Sequence, residues 1–110
     1  MTYTPDKWVV VKIEGKDIPL TYKVFACWYG GFLNGDSWKM NSGIKKASKK
    51  KNCWLFDGFS GSVYQCHEEA YGTNMYGGGV LESFIEKAKE QDTIIEVLDK
   101  DTNWKKLKYE

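Results

Sequence analysis

Cys66, His67, Glu68 and Glu69 run consecutively, and His67 is the only histidine of the chain. A thiol, an imidazole and two carboxylates are the ingredients of a nucleophile with its general base, or of a metal site. Their spacing serves neither: neighbours on a strand point to opposite faces, and zinc needs three or four converging ligands. The spacing favours a strand-end histidine, with a Cys66 thiol activated by His67 as the enzymatic alternative, a small hydrolase or transferase. No metal and no cofactor is expected. Gly77-Gly78-Gly79 leads into a helical pattern, where exposed amides can hold an anion. It lacks the spacing of a dinucleotide fingerprint, and no Lys-Ser/Thr pair follows as in a P-loop, so a flexible lead into the helix is expected. Glu82, Glu86 and Glu90 share one helix face and read as a solvated stripe.

Two other groups are better suited to binding. Lys45, Lys46, Lys49, Lys50 and Lys51 form the one concentrated basic patch, with Trp38, Trp54 and Phe56 nearby in sequence, a mixture that suits single-stranded nucleic acid or nucleotide phosphates. A solvated basic loop is the plainer reading. The second group is the glycine-punctuated aromatic block from Cys27 to Trp38, with a fainter echo from Cys53 to Tyr64. Glycine lets a backbone approach a ligand, and tryptophan and tyrosine offer stiff faces with one polar handle each. Trp28, Tyr29, Phe32, Trp38, Lys39, Asn41, Ser42, Ser60, Ser62 and Tyr64 are the candidate ligand- or partner-binding residues. The rings would stack on a base or anchor a protein, Lys39 would meet phosphate, and the serines and Asn41 would hydrogen-bond sugar or base edges.

Composition narrows the field. At 110 residues the chain has the size of one domain, spanning residues 1–110, with a formal charge of +1 that gives no global attraction to nucleic acid or membrane. All 16 basic side chains are lysine. Without arginine there is no flat fork for guanine or carboxylate, which counts against base-specific reading of DNA. The three cysteines form no C-x-x-C pair and read as reduced core thiols. The absence of a signal-like or membrane-spanning segment points to the cytoplasm and to no membrane partner.

The elements that must position these residues follow from periodicity. Lys7–Ile13 and Leu20–Tyr29 read as a hairpin, and the second segment is apolar on both faces, which makes it a central strand. Weaker strands are expected at Trp38–Ile44, Cys53–Phe56, Ser62–His67 and Thr93–Leu98, with a basic loop from Ile44 to Asn52 and a short helical turn at Glu68–Tyr71. Val80, Leu81, Phe84, Ile85 and Ala88 recur at helical spacing and predict a helix over 80–91. The tail from Trp104 is open between an edge strand and a short helix. The expected fold is α+β: a mainly antiparallel sheet of five to six short strands with one principal helix packed on one face.

The segments Tyr22–Phe32, Gly35–Gly43 and Ser60–His67 together resemble small accessory proteins of tailed bacteriophages to which no chemistry is assigned. The resemblance implies a non-catalytic protein in the cytoplasm of an infected host cell that binds and neutralises a host component, often of an antiviral defence. The partner would be a nucleotide second messenger, held as by a sponge, or a host defence protein. Single-stranded nucleic-acid binding through the lysine-aromatic region is the alternative. A homo-oligomer is open.

Overall fold

Trp8, Val9, Val10 and Val11 are all buried, and so are Val24, Phe25, Ala26 and Cys27. Side chains alternate between the faces of a strand, so such runs are stable only where both faces are covered. A computed structural model, which describes residues 1–30 and 35–109, shows what covers them. The described strands are β1 (Thr2–Tyr3), β2 (Lys7–Gly15), β3 (Thr21–Trp28), β4 (Ser37–Met40), β5 (Ile44–Lys50), β6 (Cys53–Gly58), β7 (Val63–His67) and β8 (Thr93–Val97). The helix α1 spans Met75–Glu90, and a 3-10 turn occupies Glu68–Ala70.

The strands form two four-stranded sheets, ordered β1-β7-β6-β5 and β4-β3-β2-β8. Among the described strands all pairings are antiparallel except the short β1–β7 contact, and a single parallel bridge joins Trp8 to Tyr71. The second sheet lies in the middle of three layers. Its inner face sends Trp8, Val10, Tyr22, Val24 and Ala26 against Phe56, Tyr64 and Cys66 of the first sheet. Its outer face sends Val9, Val11, Phe25 and Cys27 against Leu81 of α1, with Phe84 and Ile85 alongside. Burial on both faces explains the uninterrupted apolar runs, and it bears out the central position read for β3.

The α+β class and the helix over an antiparallel sheet match expectation, but there are two sheets, and the strands outnumber the five or six expected. Three local readings also change. The lysine segment is a strand, β5, at a sheet edge. Gly77–Gly79 lie inside α1, which begins five residues before Val80. The tail is a series of turns whose Trp104 is buried against Trp8, at a ring separation of 5.8 Å.

Glycine in the first turn of α1 has a steric cause. A side chain at Gly77 would collide with the Cys27 sulfur and come within 2.8 Å of Asn74 Oδ1. Asn74 caps the helix, its Oδ1 accepting from the Gly77 amide at 2.6 Å while its Nδ2 donates to the Trp28 carbonyl at 3.2 Å. Close approach of helix to sheet thus fixes both the glycine and the cap. Tyr71 joins the two sides of the middle sheet differently. Its hydroxyl accepts from the Val10 amide at 3.1 Å and donates to the Leu98 carbonyl at 2.6 Å, bridging two backbone groups that would otherwise lack a partner where β8 ends.

Candidate functional site

The candidate ring-bearing residues do not assemble into one platform. Tyr64 is 1% exposed and Asn41 5%, which removes both from any surface. Asn41 instead fastens the end of β4, its Oδ1 accepting from the Val24 amide at 3.0 Å and the Gly43 amide at 3.3 Å. Trp38 stacks on Phe25 at 5.4 Å and meets Phe84 of α1 edge-on at 5.2 Å, so it belongs to the helix-side core. Trp28 is half-buried, its indole N–H donating to the Thr4 carbonyl at 3.0 Å. Lys39, opposite Ala26 in register, reaches over the ring of Tyr3 at 5.1 Å, and Tyr3 also packs edge-on to Trp28. Among the described rings of this group only Tyr29 is freely presented, 56% exposed, on a backbone whose amide donates to Asp6 Oδ2. Phe32 lies outside the described residues. Ser42 Oγ accepts from the Ser60 amide at 3.0 Å, tying two turns together beside Ser62.

The Cys66–His67 pair is not a dyad. Cys66 is buried, and burial holds its thiol well above the ordinary range, so it stays protonated and away from solvent. His67 points to the other face, where its Nδ1 accepts from the Glu69 amide at 3.1 Å. Across the ladder the residue in register with His67 is Cys53, whose sulfur receives a long contact from Gln65 Nε2 at 3.8 Å. All three cysteines are free. Among the described residues no group of three or more His, Cys, Asp or Glu is placed to hold a metal, and no helix is long and apolar enough to cross a membrane.

The lysines do assemble. β5 is the outer strand of its sheet, and alternation distributes its side chains to both sides of that edge. On one side an open cavity of about 420 Å³ is lined by Lys45, Lys46 and Ala47 together with Lys105, Leu107 and Tyr109 of the tail. Around the strand's far end a second, of about 370 Å³, is lined by Lys50, Lys51, Asn52, Cys53, Leu55, Gln65 and His67. A third, of about 360 Å³, has Lys49, Lys100, Trp54 and Trp104 in its wall, with Glu68, Glu69 and Asp101. Lys46 approaches Asp57 at 3.9 Å, and Lys49 is held by Glu68 at 2.5 Å while lying 5.3 Å from the centre of the Trp54 ring. Lys45, Lys50 and Lys51 are exposed and make no ion pair among the described residues.

The sequence reading missed Lys100, Lys105 and Tyr109. A signal for the last two exists: Trp104-Lys105-Lys106-Leu107-Lys108-Tyr109 repeats the lysine-aromatic mixture of residues 45–56. In comparisons with known proteins, the chain matches no family model, no curated protein and no solved structure.

Proposed function

We propose that the protein is a non-catalytic binding module that holds single-stranded nucleic acid through its phosphates, along the lysine-lined edge formed by β5 and the tail. The observation that carries this reading is that Lys45, Lys46, Lys49, Lys50 and Lys51 lie on and just after one edge strand, flanked by two open cavities whose walls hold lysines and no carboxylate, one of them shared with Lys105 of the tail. A single strand can follow such an edge because its backbone charge repeats along it. Trp54 and Tyr109, both half-buried, stand beside the charges as rings on which a base can stack without regard to sequence. Lysine without arginine suits attraction to phosphate and gives no base reading.

A site built on Trp28, Trp38, Asn41 and Tyr64 gains no such support, because two of these are buried and Trp38 is packed between Phe25 and Phe84. In the setting implied by the phage resemblance, the lysine edge would neutralise a host component that presents phosphates. Fluorescence anisotropy with a labelled oligothymidylate tests the proposal. The triple variant Lys45→Ala/Lys50→Ala/Lys51→Ala should bind at least about tenfold more weakly, and Lys16→Ala/Lys87→Ala, on other faces, should bind as the parent does. Absence of oligonucleotide binding by the parent, or equal loss in both variants, would overturn it.

A further inference from the structure

The two sheets have four edges, and they are protected unequally. β5 carries four lysines, β1 has two residues and is followed by Pro5, and β4 has Lys39 among its four residues. Charge, brevity and proline are the usual means of keeping an edge from pairing. β8, Thr93-Ile94-Ile95-Glu96-Val97, has no lysine and no proline. Ile94 is 60% exposed and Val97 40%. The Leu98 amide donates to the Val10 carbonyl at 3.0 Å, so the even-numbered residues of this segment direct their amides toward β2. By alternation Thr93, Ile95 and Val97 direct theirs outward, along an edge that no strand of the described residues covers.

We infer that this edge receives a second copy of the chain, β8 pairing antiparallel with β8 about a two-fold axis at Ile95. In that register Thr93 faces the second copy's Val97 and Ile95 faces its equivalent, so all three outward residues find partners in about six backbone hydrogen bonds. The charges beside the edge suit this pairing, with Lys89 exposed although it also approaches Glu86 of its own helix at 3.6 Å. Glu82 of α1 lines the groove at the Val97 end, and Lys89 lines the hollow at the Thr93–Ile94 end. They lie seven residues apart on one stripe of the helix, with Ile85 between them. An antiparallel two-fold axis brings the Val97 end of one copy to the Thr93 end of the other. Glu82 therefore meets the second copy's Lys89, and the same contact forms again on the other side. A parallel two-fold pairing would instead put the two helices on opposite faces of the joined sheet and form neither contact. The edge belongs to the sheet that lacks β5, so it stands independently of nucleic-acid binding.

Sedimentation equilibrium of the full chain tests the inference. The parent should behave as a dimer in reversible equilibrium. Lys89→Glu should weaken the dimer by about tenfold, since it turns both cross-copy attractions into repulsions. Adding Glu82→Lys should restore affinity to within about threefold of the parent, because the pairs re-form with signs exchanged. Ile94→Lys places a charge on an exposed edge residue, so it should leave the fold intact and abolish association. A parent that stays monomeric at about 200 μM, far above a useful dissociation constant, would overturn the inference. So would a dimer that ignores Ile94→Lys, or a double variant no tighter than Lys89→Glu.

Discussion

Replacing Gly77, Gly78 and Gly79 one at a time by alanine should give three different results, because the helix meets its surroundings differently at each. At Gly77 the new methyl collides with the Cys27 sulfur and approaches Asn74 Oδ1 at 2.8 Å. Neither can retreat freely: Cys27 is fully buried, and Asn74 is committed to Gly77 and Trp28. Overpacking of this kind costs about 1–3 kcal/mol, against a gain of up to about 1 kcal/mol from better helix propensity. The net loss should be about 1–2 kcal/mol, a fall in Tm of roughly 5–10 °C for a domain of this size. At Gly79 nothing lies within 4 Å, so the propensity gain of about 0.5–1 kcal/mol should appear undiminished. At Gly78 the methyl would meet the Thr73 hydroxyl at 3.0 Å, a group that can rotate away, and the change should be near neutral. Urea denaturation followed by tryptophan fluorescence reads all three. Cys27→Ala removes the sulfur, and in that background the Gly77→Ala penalty should shrink by at least about half, as coupled neighbours require. Equal effects at the three glycines, or a stabilised Gly77→Ala, would refute the close helix-sheet contact and return the segment to a flexible lead-in.

Other measurements bear on the same structure. Tyr71→Phe removes the hydroxyl that bridges Val10 and Leu98, leaving two backbone groups unpaired, and should cost about 1–3 kcal/mol; an unchanged denaturation midpoint would show that water replaces it. Under native conditions a thiol reagent should modify half-buried Cys53 rapidly and Cys27 and Cys66 only on unfolding, so three thiols reacting at equal rates would contradict the burial. Stability should fall in alkali. Burial raises the thiols of Cys66 and Cys27 above their ordinary 9.0, and pushes Tyr64 and Tyr71 from 10.0 up to about 12. Above those ordinary values the unfolded chain releases protons that the folded chain retains, so each step in pH favours unfolding until the folded groups also ionise. A urea midpoint that stays constant from about pH 8 to pH 11 would contradict this.

The residue pattern carried the middle of the fold well and its periphery poorly, for physical reasons. Val24–Cys27 cannot be apolar on both faces at a protein surface, so the central strand was legible from composition alone. The helix register was legible from Leu81, Phe84, Ile85 and Ala88, but its start was not, since three glycines argue against a helix until Cys27 is known to lie beneath the first of them. β5 was hidden by its lysines, which disfavour strands and are tolerated here because only one side of the strand needs a partner. Membership of two sheets instead of one rests on pairings such as Val11 with Val97, which join distant residues and leave no local trace. Trp38 looked like a surface ring because turn residues precede it, yet its partners Phe25 and Phe84 arrive from other elements. The lysine cluster was visible as a run. Its union with Lys100 and Lys105 depends on where the tail folds back, which the run itself does not encode.

The salt dependence of oligothymidylate binding tests the central claim most directly. Each phosphate neutralised on a single strand contributes about −0.7 to the slope of log K against log salt concentration. The parent should show a steep negative slope, and Lys45→Ala/Lys50→Ala/Lys51→Ala should lower its magnitude by about 2, because three phosphate contacts are lost. A parent affinity insensitive to salt, or a slope that the triple variant leaves unchanged, would place the function away from the β5 edge.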